Sequence, residues 1–163
     1  MNPVRRDDPL PEAELTFLLG MAFQLVLAEF NDRIAAAGEG DLRPVHGMVF
    51  QIVARTPVTS SELAERLGVT KQAAGQIVDD LERRGYLRRD PHPAGGRRKL
   101  LVLTDAAHAH LTVAGRVLHT MEAELADRQE GATLATLAPL RTELAALIRT
   151  LTGDGLPPLR PVW

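Results

Sequence analysis

Cysteine is absent from the 163 residues, which excludes disulfides, thiolate nucleophiles, iron–sulfur clusters and cysteine-based redox sensing. Lysine is scarce: of 19 basic residues only Lys71 and Lys99 are lysines, a bias that points, with the abundant Ala, Gly and Pro, to a GC-rich genome and not to a function. No uninterrupted apolar run of about 18 residues occurs, and Arg5, Arg6, Asp7 and Asp8 stand where a signal peptide needs an apolar stretch. A cytoplasmic protein without a membrane partner is expected. No internal repeat is visible, nor any low-complexity segment beyond Ala-rich helical stretches. What is present, 45% hydrophobic and 25% charged residues, suits one globular domain able to bury a core.

The net charge of −2 hides an uneven distribution. Between Arg83 and Lys99 seven basic residues (Arg83, Arg84, Arg88, Arg89, Arg97, Arg98, Lys99) face Asp90 alone, so this window is +6 and the rest of the chain −8. Such a block is either a solvated face or the footprint of an anionic partner, and its structural context decides between them.

The spacing predicts helices through most of the chain. A long first helix over 12–37 carries Leu15, Leu18, Leu19, Ala22, Leu25 and Val26 at helical intervals and ends at Gly38-Glu39-Gly40. Asp41 is expected to cap a second helix bearing Val45, Met48, Val49, Ile52 and Val53, which Thr56-Pro57 ends. Thr59-Ser60-Ser61-Glu62 has the capping-box spacing and opens a short third helix. That helix stops at Gly68, and Thr70 caps a fourth, which Gly85 closes. Two β-like runs, Tyr86 to Arg89 and Arg97 to Leu103, flank DPHPAGG and read as an antiparallel hairpin with a loose tip. Thr104-Asp105 caps a long fifth helix, and a sixth ends near Leu151, with Pro139 at its start or inside it. The expected fold class is mainly α (α+β), with the order α-α-α-α-β-β-α-α.

Leu63-Ala64, Leu67-Gly68-Val69, Ala74 and Ile77 have helix-turn-helix spacing: a small residue at the helix crossing, glycine at the turn and apolar anchors under the second helix. An ordinary helical hairpin inside a core would also bury the polar side of that helix. Here Lys71, Gln72, Gly75, Gln76 and Asp79 lie opposite Ile77 and Leu81, and long donors at a helix N-terminus can reach base edges in the major groove. The basic window falls on the hairpin that follows. Arg97 and Arg98 are candidates for an adjacent minor groove, and Arg88 and Arg89 for phosphates or acidic neighbours. The expected DNA-binding set is Thr59, Ser60, Ser61, Thr70, Lys71, Gln72, Gly75, Gln76, Arg88, Arg97, Arg98 and Lys99.

The stretches DLRPVHGMVFQIV, TSSELAERLGVTKQAAGQIVDDLERRGYLRRDP and RRKLLVLT together resemble the MarR-type winged helix-turn-helix regulators over about Glu12 to Leu151. The resemblance implies a domain over 12–152, with a DNA-binding lobe at about 41–104 and dimerisation helices at about 12–37 and 105–151. Residues 1–11 are then expected to be disordered, and 153–163 to form a Gly/Pro tail. It further implies a homodimer on a pseudo-palindromic operator of double-stranded DNA and a small-molecule effector in a crevice near Phe17, Met21, His46, Met48, Phe50 and Leu111. Each of those six could equally be core packing. Two departures stand out. The family's wing has a second Asp before the Arg pair, whereas His92-Pro93-Ala94-Gly95-Gly96 occupies that place, and Ala107 stands where Gly is frequent.

Dimerisation also has a physical basis, since terminal helices rich in Leu and Val need a partner surface and a single small module has limited affinity for DNA. Recognition helices about 34–36 Å apart reach successive major grooves, so a ligand that favours another spacing releases the duplex. No catalytic residues, cofactor or metal are expected. The histidines are His46, His92, His108, His110 and His119, and His108 and His110 point to different helix faces. No nucleophile motif, phosphate-binding loop or carboxylate pair is recognisable. The alternative from another class is a winged-helix protein–protein interaction module without DNA binding, which should have lost the basic residues that this chain keeps.

Overall fold

The computed structural model describes residues 9–39, 42–128 and 134–153. After a 3-10 turn at Leu10–Glu12 come α1 (Leu15–Ala36), α2 (Pro44–Arg55), α3 (Ser60–Leu67), α4 (Lys71–Arg83), β1 (Leu87–Pro91), β2 (Lys99–Leu103), α5 (Asp105–Arg128) and α6 (Leu134–Thr152). The chain is thus mainly helical with one hairpin, in the expected order. It divides into two compact units, one of residues 1–40 and 114–142, the other of 41–113 and 143–163.

In the first unit, α1 buries Ile34 alone and leaves Leu15, Phe17, Leu19, Phe23, Leu25 and Val26 exposed. A polar clamp holds it to α5. The Arg33 guanidinium donates to both Glu124 oxygens, at 2.6 and 3.1 Å, and through Nε to Glu29 at 2.7 Å. These hydrogen bonds, Glu124 first and then Glu29, bind the Arg33 proton more tightly than usual. By length and composition α1 could cross a bilayer, although Thr16, Gln24 and Glu29 interrupt its apolar residues. Pro139 lies inside α6, which begins five residues earlier at Leu134.

The second unit contains the helix-turn-helix and hairpin. The Thr59 hydroxyl accepts from the Glu62 amide, and Glu62 accepts from the Thr59 amide at 2.7 Å, closing the reciprocal cap at the start of α3. Gly68 adopts φ 65°, a left-handed conformation that glycine enters without steric cost, and turns the chain toward the Thr70 cap of α4. Gly85, at φ 79°, repeats the device, with the Tyr86 amide donating to Leu81 O and the Gly85 amide to Glu82 O. Tyr86 is spent on that cap, so β1 starts at Leu87, one residue later than the alternation predicts.

The strands pair antiparallel from Leu87↔Leu103 to Pro91↔Lys99, and Val58 adds a bridge to Leu101 at 2.7 Å. β2 starts at Lys99, so Arg97 and Arg98 stand in the tip and not on the strand as the sequence reading had them. The second helix also differs at its start. Pro44 is its first residue, and the Arg43 amide, at the cap position, donates to His46 Nδ1 at 3.1 Å; proline's fixed φ suits this position. Asp41, expected to be the cap, lies outside the described residues. Under all of this sits one core, with Val49, Phe50, Leu63, Leu67, Val78, Leu81, Leu87 and Leu101 almost wholly buried. It fixes α3, α4 and the hairpin on α2.

Candidate nucleic-acid interface

The N-terminus of α3 and the hairpin tip enclose an open groove of about 470 Å³ lined by Thr59, Ser60, Ser61, Glu62, Arg89, His92, Arg97, Arg98 and Lys99. Six of the twelve expected DNA-binding residues meet there. Thr59 is already engaged with Glu62, and Ser60 and Ser61 add hydroxyls at the rim. On α4, Lys71, Gln72 and Gln76 are exposed and Gly75 is half-buried, while Ala74, Val78 and Leu81 are buried on the other side. The Thr70 hydroxyl accepts from the Ala73 amide.

Ion pairing divides the basic window. Asp80 pairs with Arg83 and Arg84, Arg88 with Asp90 at 3.0 Å, and Arg89 with Asp79 at 2.6 Å and with Glu82. Arg88, expected on DNA, therefore shares its guanidinium with a neighbouring carboxylate. Lys71, Arg97, Arg98 and Lys99 make no ion pair with any described residue. Three of these four cations project from one side of the groove, where a polyanion would neutralise them without displacing an internal partner. Glu62 is the groove's counterweight. Hydrogen bonds from the Thr59 amide and then its hydroxyl hold its carboxyl below the usual carboxylate range, so it is ionised at neutral pH.

Sequence reasoning did not place His92 or Glu62 in the site. Glu62 was legible only as a cap. The one signal for His92 was its position where the resembled family carries its extra wing acid. Of the expected effector residues, Phe17 and Met21 are exposed on α1 in the first unit. In the second unit His46 and Phe50 are wholly buried, and Met48 and Leu111 pack partly buried against the core. A smaller apolar groove of about 230 Å³ lies in the first unit among Leu25, Val26, Met121 and Leu125, edged by the Arg33 clamp. Among the described residues no group of three His, Asp or Glu could hold a metal ion.

Behind α4 a charged cluster ties its last turn to the start of α2. Asp80 lies 3.4 Å from His46 Nε2 and 3.0 Å from Arg84 Nε. Burial pushes the Asp80 carboxyl up, but Arg84 and Arg83 outweigh it and hold the carboxyl below its ordinary range. Because His46 Nδ1 accepts the Arg43 amide, the neutral ring carries its proton on Nε2, facing Asp80. Burial, followed by the charge of Arg43, pushes the imidazole down to about 4 despite Asp80. The unfolded chain therefore binds a proton at His46 that the native state refuses, and stability falls as pH drops from about 6.5 to about 4. The expected loss is on the order of 3 kcal/mol. Urea unfolding of wild type and His46→Gln between pH 7 and pH 4 checks it: the variant should lack this part of the pH dependence, and parallel curves would refute it.

Comparisons with known proteins agree with this architecture. Residues 41–98 match the MarR family model. Among solved structures, RV1404 from Mycobacterium tuberculosis is similar at 26% identity and TM-score 0.68, over 86% of this chain and 93% of that one. The repressor CouR of Rhodococcus jostii, bound to a 23-mer DNA duplex, is similar at 25% identity and TM-score 0.67, over 90% and 97%. CouR has also been solved with p-coumaroyl-CoA. A mutant MarR from E. coli, in complex with operator DNA, is similar at 22% and TM-score 0.65, over 87% and 99%. No curated protein matches the sequence.

Proposed function

We propose, from the chain's membership of the MarR family of winged helix-turn-helix proteins, that it is a sequence-specific DNA-binding transcriptional regulator. It acts as a cytoplasmic, non-enzymatic homodimer that occludes a promoter and leaves it when a small aromatic or amphipathic molecule favours a non-binding spacing. The observation that carries the reading is the set of cations without acidic partners, Arg97, Arg98 and Lys99 at the groove and Lys71 on the exposed face of α4. A module adapted to protein partners has no reason to keep them. The run of exposed apolar residues along α1, among them Leu15, Phe17, Phe23, Leu25 and Val26, supports the dimer. CouR, seen both on a DNA duplex and with p-coumaroyl-CoA, supports an aromatic effector.

Selection from a random duplex pool, followed by retardation with and without candidate ligands, tests the reading. A two-protomer complex on a two-fold sequence is expected, and a monomer in sedimentation that retains no duplex above non-specific levels refutes it. In the same assay Gln72→Ala should relax preference at one base position by about 1–3 kcal/mol and leave the salt dependence unchanged. Uniform weakening across sequences would instead make Gln72 a backbone contact.

A further inference from the structure

We infer that His92 is a specificity-determining residue of the wing, an imidazole whose Nε2–H donates to the minor-groove edge of an A·T pair. This rests on the DNA-binding reading above. Three hydrogen bonds fix the residue at the base of the tip. Its amide donates to Arg98 O at 3.3 Å, its carbonyl accepts from the Gly95 amide at 2.9 Å, and its Nδ1 accepts from the Ala94 amide at 3.1 Å. A backbone N–H can only donate, so Nδ1 is the acceptor of this contact and Nε2 presents the ring's N–H. Gly95 and Gly96, at φ 73° and 80°, fold the chain back behind it in a conformation that residues with side chains rarely adopt.

The ring lines the groove beside Arg97, Arg98 and Lys99, and Nε2 makes no hydrogen bond with any described residue. Glu62, the groove's one unpaired acid, directs Oε2 to the amide and hydroxyl of Thr59. The tip therefore offers guanidinium charge together with one oriented imidazole donor. In the minor groove an A·T pair shows only acceptors, whereas G·C adds an amino donor that opposes another donor. Guanidinium charge follows groove width and potential, and the imidazole adds chemical discrimination.

Variants separate a contact from a prop for the loop. Asn at 92 can accept the Ala94 amide and still present N–H donors, whereas Asp can accept that amide but presents no donor. Wild type, His92→Asn and His92→Asp are titrated with the duplex that wild type selects, and with copies in which each flanking A·T pair is changed to G·C. The readout is the ratio of affinities, from which a general charge effect cancels. Wild type is expected to prefer A·T about fivefold at one flanking position, the worth of one hydrogen bond. His92→Asn should keep most of the preference and His92→Asp lose it. A ratio unchanged in His92→Asp, absent in wild type, or lost as fully in His92→Asn as in His92→Asp overturns the inference while leaving DNA binding intact. Failure of wild type to bind any duplex overturns the DNA-binding reading itself, and the inference with it.

Discussion

Replacing Arg97 and Arg98 together with Ala is expected to weaken duplex binding by about 1–3 kcal/mol for each guanidinium that contacts DNA, and to make log K less steep in log salt by about 0.9 per phosphate charge lost. Folding stability should move by no more than about 0.5 kcal/mol, because both side chains are exposed, lie outside the strands and have no ion pair among the described residues. Arg89→Ala provides the contrast. Arg89 sits between Asp79 and Glu82, so its removal leaves two carboxylates of α4 without their partner and should show mainly in stability. Retardation at several salt concentrations beside urea unfolding separates the two classes. Equal salt slopes in wild type and in the Arg97, Arg98 double variant would remove the wing from the interface.

That division among arginines shows where sequence reading reaches its limit. The order of elements was legible because its signals are local: the reciprocal Thr59 and Glu62 cap, glycines at 68 and 85, and leucines at helical spacing under α3 and α4. Pairing of Asp80 with Arg83 and Arg84 is also local, at three and four residues along one helix, and could have been read from spacing. Arg89 reaches Glu82 and Asp79, seven and ten residues back, across the turn at Gly85, so only the folded hairpin shows that its charge is spent. The +6 window thus overstated the charge available to a partner. His46 is a similar case. Its position allowed core packing or an effector contact, but the loss of its charge depends on complete burial and on the Arg43 guanidinium, which together outweigh the opposing pull of Asp80 on α4. The apolar stripe of α1 and its need for a partner surface were legible, and the protomer leaves that stripe exposed.

Phe50→Ala is expected to destabilise the second unit by about 3–5 kcal/mol, the range for deleting a fully buried aromatic ring. The ring is wholly buried, with Tyr86 at a centroid distance of 5.7 Å and His110 at 5.6 Å, so its loss leaves a cavity and removes two aromatic contacts. Small domains are stable by about 5–15 kcal/mol, so this single change removes a large share of the margin and takes DNA binding with it at elevated temperature. Phe50 also belongs to the expected effector set, and a second variant separates the roles. Phe50→Leu keeps much of the volume, so packing alone predicts that it recovers most of the stability and all of the DNA affinity, with an unchanged ligand response. Thermal unfolding read beside ligand-induced release from DNA decides between them. A Phe50→Leu protein that folds and binds DNA yet ignores a ligand that releases wild type would make the ring part of the effector site, whereas a parallel response would confine it to the core.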